Sequence, residues 1–289
     1  MKKFKLTRTF TAVVCIALLS GCSGGSNTSM TNELTFDTTS LKEITIAYDD
    51  ENITVFNGND SSIVIKEYMN KDKISYYAKV KEDSASIHIS EGGKPVFKDG
   101  FIRYIEIYLP QNYEEALNIG TTNGEIDCSA ADINVGGFNI NTTSGTVKLN
   151  NVNSKTVSLN TTSGSLYADD IISDNINIRN TSGNAVFDKL SGFVDYRGTS
   201  ADLTVADAVG SGQYIFDNSG NMQIAYSEVT GDLCLYNKND NVNLKIPRDF
   251  EFDMQTKSKN GKTSAPQGTS AAKIKIKAET VNGDINITQ

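Results

Sequence analysis

The chain has 289 residues, 38% of them apolar and 21% charged, with 35 acidic against 27 basic side chains, one histidine and four cysteines. The acidic excess argues against a phosphate-backbone partner, so no nucleic-acid role is expected. A single histidine and the absence of any Cys/His spacing exclude the common triad and zinc chemistries and a disulfide framework.

The first element is a leader. Lys2, Lys3, Lys5 and Arg8 precede an apolar run over residues 12–19, the order of a secretory signal peptide. Eight apolar residues are too few to cross a bilayer, which takes about 20 in a helix. Leu19-Ser20-Gly21-Cys22 resembles the lipobox of bacterial lipoproteins. That resemblance implies removal of residues 1–21, acylation of Cys22, and a chain held to a cell membrane by acyl chains on its extracytoplasmic side. Two acyl chains suffice for stable anchoring. Without the leader, 23 basic face 35 acidic residues, a net charge of −12. Residues 22–33, rich in Ser, Gly, Asn and Thr, are expected to form a flexible tether, with the folded part starting near Leu34.

Residues 34–112 are β-rich but loosely periodic and read as an N-terminal cap and first coils. Ile44, Ile46, Ile53 and Val55 alternate around Glu51, and Ile63/Ile65, Ile87/Ile89 and Ile105/Ile107 mark further strands. Residues 70–93, with Lys71, Lys73, Lys79, Lys81 and Gly92-Gly93, are expected to protrude as a hairpin or loop.

Residues 113–289 repeat. Turn signals end at Gly124, Gly145, Gly164, Gly183, Gly220, Gly261 and Gly283, with Ala201 and Asp240 at the same place in two degenerate copies, spaced 18 to 22 residues apart. If each repeat is one coil, positions −7, −5, +2 and +4 from the landmark point inward. All but three of those thirty-six positions are apolar, against six of the thirty-six intervening ones, which predicts two short strands per repeat. An antiparallel meander of hairpins gives the same alternation. The polar residue at −3, as in Thr121, Thr142, Thr161 and Asn180, favours a solenoid corner instead. The expected fold is therefore an all-β solenoid of about nine coils, a β-helix-like stack closed by the N-terminal cap.

The runs Asn141-Thr142-Thr143-Ser144-Gly145, Asn160-Thr161-Thr162-Ser163-Gly164 and Asn180-Thr181-Ser182-Gly183, with the closing residues 280–287 (TVNGDINI), resemble the bacterial "putative adhesin" domain family. The resemblance covers residues 40–289. It implies an exported or membrane-anchored β-solenoid and supplies no catalytic residues.

Chemistry is sparse. His88, between Ile87 and Ile89, is expected on the outer face of a strand. Asp195 and Asp202 are the carboxylates a polysaccharide-active enzyme would need, but outward charge on a solenoid ordinarily serves solubility. No cofactor or metal is expected. Four of the six apolar residues that break the outward rule are Tyr214, Phe216, Cys234 and Tyr236. Stacked in chain order they predict a surface strip of Tyr214, Phe216 and Tyr236, with Arg179 and Arg197 on one side and Lys257 beyond. Exposed aromatic patches often mark contacts, and a cross-coil aromatic ladder is the structural alternative. Cys128 is expected inside and Cys234 outside, too far apart for a disulfide. The function expected is a non-enzymatic, adhesin-like or scaffolding module that meets a cell-wall or host polysaccharide or an envelope protein. An accessory sensor of envelope stress is the second expectation and a polysaccharide-active enzyme the third.

Overall fold

The computed structural model describes residues 28–289 apart from 60 and 97–99; the leader and Cys22 lie outside the described residues. These residues form seventeen strands, β1–β17, in one continuous hydrogen-bonded sheet wound on itself. Strands β9 (Ile126–Thr142), β10 (Val147–Thr161) and β11 (Leu166–Ser219) pair in parallel. Val147 lies between Ile126 and Leu166, Leu149 between Cys128 and Ala168, and Leu159 between Ile140 and Ile178. Matching letters of successive repeats are thus neighbours, as a solenoid requires and a hairpin meander forbids.

The central coils have three runs rather than the expected two, while the coils at either end pair through two. Residues 147–149, 151–154 and 156–161 pair with 166–168, 170–173 and 175–180. The third side buries few apolar residues: Val152 and Ile171 on two coils, Ile133 and Val135 on the one before them. So few inward side chains do not register as alternation, and the spacing predicts only two strands per repeat.

The Thr-x-x-Gly corner has a steric and a hydrogen-bonding cause. Thr142 Oγ1 accepts the Gly145 N–H at 3.0 Å, and Thr121, Thr161 and Thr280 do the same for Gly124, Gly164 and Gly283. These threonines are buried at the bend, so the bond satisfies a donor that would otherwise be orphaned. The glycine is needed for space: a Cβ on Gly145 would sit 1.7 Å from the Gly124 carbonyl oxygen, and one on Gly164 would sit 2.1 Å from that of Gly145.

The coils do not stack in chain order at either end. Strands β2 (Glu43–Ala47) and β3 (Asn52–Gly58) form a coil between two later ones. On one side of it lie β6 (Ser86–Ser90) and β7 (Arg103–Pro110), on the other β8 (Ala116–Thr121) and β9. At the far end, β16 (Ile274–Thr280) and β17 (Ile285–Thr288) pair with β12 (Met222–Asn237) and β13 (Val242–Lys245). The segment earlier in sequence, β14 (Phe252–Ser258) and β15 (Thr263–Ser264), lies outside them. A polar ladder records this order: Asn239 donates to Asn218, Asn282 to Asn239, and Asn260 to Asn282, at 2.7 to 3.1 Å. The sequential stacking expected from the spacing is corrected here, because the period is the same whichever neighbour a coil chooses.

At the N-terminal end, β1 (Ser29–Asp37) runs antiparallel to β4 (Ser62–Met69), which is antiparallel to β7, and β5 (Lys79–Glu82) is antiparallel to β6. Among the described residues β1 starts at Ser29, within the stretch expected to be tether, because Asn32, Leu34 and Phe36 find partners on β4 and beneath it. Within residues 70–93, β5 and β6 pair as an antiparallel hairpin with β5 exposed, and the loops before β5 and after β6 meet each other. A Cβ on Gly92 would lie 2.1 Å from the Tyr77 carbonyl oxygen, so the two loops touch backbone to backbone.

Candidate functional site

The expected strip does not assemble. Tyr214 and Phe216 are fully buried, not on the surface. Tyr214 aligns with Leu235 and Phe216 with Asn237, one residue out of the anticipated register, after irregularities between Val205 and Gly212. The cause is volume. Gly198 on the adjoining coil leaves room for the Phe216 ring, which packs 5.2 Å from Tyr196, and Gly212, two residues before Tyr214, leaves room for the Tyr214 ring. The Tyr214 hydroxyl meets that of Tyr226 at 2.8 Å inside the core. Tyr236 does remain partly exposed, but its neighbours are Ile215 and Glu279, and Lys257 lies one coil further, beyond Glu279.

The two arginines come together around one carboxylate. Arg179 reaches Asp195 Oδ2 at 2.6 Å and its carbonyl oxygen at 3.0 Å, and Arg197 Nε lies 3.8 Å from Asp195 Oδ1. Asp202, the other candidate acid, accepts the Asn221 N–H at 2.7 Å. Both carboxylates are thus engaged in holding coils together. His88 is exposed on β6 between buried Ile87 and Ile89, as expected. Among the described residues no group of three or more His, Cys, Asp or Glu side chains could hold a metal ion.

Cys128 is buried and Cys234 exposed, and neither is bridged. Burial pushes the Cys128 thiol far above its ordinary range, which removes the reactive thiolate. In the folded domain, Cys234 is therefore expected to react with a thiol reagent within minutes and Cys128 only after denaturant is added. A two-step Ellman titration checks this, and simultaneous reaction of both thiols in the native state would contradict the buried position.

An aromatic face does exist, but on the N-terminal coils. Ile105 and Ile107 of β7 point inward, so Tyr104, Glu106 and Tyr108 point out, and the register sets Tyr104 opposite Tyr68, Glu106 opposite Lys66, and Tyr108 opposite Phe56. Tyr68 and Tyr104 stack with centroids 4.6 Å apart and an angle of 4°, and Phe56 and Tyr108 stack at 5.3 Å. Lys66 Nζ sits 4.6 Å from the Tyr108 ring centre. Tyr68 and Tyr108 each donate to Glu106 Oε2 at 2.9 Å. Burial and that hydrogen bond push Tyr108 up to about 12, so its hydroxyl stays a donor throughout the physiological range. All four residues are half-buried. The parity of residues 104–108 was legible; the antiparallel β4–β7 pairing that joins Tyr68 to it was not.

Beneath the cap lies a buried ion cluster. Arg103, with no exposed side-chain surface, donates to Glu51 Oε1 at 2.7 and 3.1 Å and to the Tyr76 carbonyl at 2.8 Å. Lys94 reaches Glu91 at 2.9 Å. Burial alone would raise Glu51, but hydrogen bonding with Glu91 and the charges of Arg103 and Lys94 hold it below the usual carboxylate range. Glu67 is raised by burial while accepting from Tyr48, Asn32 and the Ala78 N–H. Arg103, Lys94, Glu51 and Glu91 are ion-paired and Glu67 is hydrogen-bonded, so no member is left without a partner, and the cluster clamps the loops that close this end of the rod.

Over residues 31–288 the chain matches the Toastrack DUF4097 family. No curated protein sequence matches it. Among solved structures it is similar to a putative adhesin from Parabacteroides distasonis, at 11% identity over 91% of this chain and 98% of that one, with a TM-score of 0.47. It is also similar to a putative adhesin from Parabacteroides merdae, at 12% identity, 90% and 97% coverage and a TM-score of 0.43. A putative cell adhesion protein from Clostridium sporogenes aligns at 14% identity, with 89% and 99% coverage and a TM-score of 0.23.

Proposed function

The chain belongs to the Toastrack DUF4097 family, and from that premise we propose that it is a lipid-anchored display module that binds through the side of its solenoid and performs no catalysis. The observation that carries this reading is the row of Phe56, Tyr68, Tyr104 and Tyr108: half-exposed rings stacked in pairs on strands whose opposite sides are locked in the core. Half-exposed rings on a rigid sheet lose little freedom on binding and offer large apolar area to a sugar face, with Glu106 and Lys66 alongside as polar partners. The solenoid interior is filled by side chains, which leaves its outer faces as the surface for contact. A cell-wall or host polysaccharide is the ligand this face suits best. The leader and Cys22 motif support its presentation on the extracytoplasmic side of a membrane.

Glycan-array binding followed by titration of the best hit tests this. Replacing Tyr104 and Tyr108 with Ser is expected to weaken binding at least about tenfold, the scale of losing an aromatic anchor, while Tyr236→Ser leaves it unchanged. Unaltered affinity in the Tyr104/Tyr108 variant would move the contact surface elsewhere.

A further inference from the structure

The end of the rod at which β1 begins differs in character from the rest of the surface. Seven large apolar residues are well exposed among the described residues, and four of them lie in the cap: Ile74 at 82%, Val96 at 92%, Ile102 at 42% and Val80 at 37%. Ile74 projects from a short 3-10 turn over residues 74–76. Single exposed apolar residues are ordinary; a cluster at one end is not.

Charge is asymmetric in the same place. Lys71, Lys73, Lys79 and Lys81 are all exposed there, against the exposed acids Asp72, Glu82 and Asp83, so this segment carries a small positive excess. The whole chain carries a net charge of −8.

This surface is held in a fixed shape. The Gly93 N–H donates to the Ser75 carbonyl at 2.8 Å, and Tyr76 meets Phe101 edge-on at 5.4 Å. Arg103 bonds the Tyr76 carbonyl from below. The start of β1 sits beside it: Ser29 pairs with Met69, and the next residue, Asn70, bonds the backbone of Gly100 and Ile102.

Only six residues separate Cys22 from Ser29, a reach of no more than about 25 Å even if fully extended. Acyl chains on Cys22 would therefore hold this tip, and not the far end, at the bilayer surface.

We infer that the cap is a membrane-docking tip: Ile74, Val96 and Ile102 enter the lipid interface while the lysines meet anionic headgroups, so that the rod stands on the membrane instead of swinging from its tether. This rests on the anchoring proposed above. Apolar side chains ringed by lysines are the composition by which surface-bound segments seat themselves, and a lipid anchor supplies the second attachment that makes such weak seating persistent.

The test uses the full lipidated chain on vesicles of phosphatidylcholine with phosphatidylglycerol. In a Cys234→Ser background, Ile74→Cys, Val96→Cys or, as a control on the rod's side, Ile172→Cys carries a fluorophore probed with acrylamide. Ile172 is exposed, so its label reports open solvent. After flotation, labels at 74 and 96 are expected to be roughly threefold less accessible than the label at 172, as interfacial burial requires. Replacing the four lysines with Gln should relax that protection without changing flotation. Equal quenching at 74, 96 and 172 in floated protein would overturn the docking alone. Failure to float would overturn the anchor, and the docking with it.

Discussion

A Gly145→Ala variant is expected to lose about 3 kcal/mol of stability or more, because the added methyl has nowhere to go. Its Cβ would stand 1.7 Å from the Gly124 carbonyl oxygen, 2.8 Å from the carbonyl carbon and 3.0 Å from Thr142 Oγ1. The nearest atoms belong to the backbone of the adjoining coil and to the corner threonine, not to the free end of a flexible side chain. Relief requires the coils to part, which strains the ladder on both sides. Gly145 is not among the positive-φ residues, so conformational freedom is not the issue. Gly120→Ala is the matched control: its Cβ would meet only the Asn141 carbonyl oxygen at 3.5 Å, an ordinary contact. Urea unfolding of the two variants should separate them clearly; equal midpoints would show that the corner relaxes freely.

The second large effect concerns the register. Phe216→Ser should lower stability by about 4 kcal/mol, from the cavity left by the ring and the hydroxyl buried in its place. For a chain of this size that is a fall of about 10 °C in the thermal midpoint. Tyr236→Ser, at a half-exposed position, should shift the midpoint far less. In the arrangement expected from the repeat, both residues stood on the outer face and the two substitutions would act alike. The contrast therefore reads directly on whether the chain slips between Val205 and Gly212. Equal, small shifts would restore the outward position of Phe216.

The inward columns were legible because a buried strand face imposes strict alternation, and each coil repeats the same demand. Even the departures left a trace. Of the three polar residues found at inward positions, Gln213 marks the slip that turns Tyr214 and Phe216 into the core. The other two, Thr256 and Thr263, fall on β14 and β15, the outermost segment at the far end of the stack. The glycines that make room for the slip, Gly198 and Gly212, were also visible, but their meaning depends on which coil lies alongside. Stacking order was beyond reach, since period carries no information about sequence of assembly. The same holds for the N-terminal face: parity put Tyr104 and Tyr108 outside, yet only the long-range pairing of residues 62–69 with 103–110 brings Tyr68 and Lys66 to them.

Insertion of the final segment between two earlier ones constrains how the molecule can form. A solenoid that adds units in order could build itself as the chain is made, each arrival covering the last. Here residues 252–264 have no surface to rest on until residues 274–288 arrive and wedge themselves beneath. At the opposite end, residues 43–58 wait uncovered on both flanks until residues 86–142 wrap them. Such non-local closure slows folding relative to neighbour-by-neighbour growth. It also means that losing the last fifteen residues would pull out a middle course of the wall, leaving the outermost one with no footing.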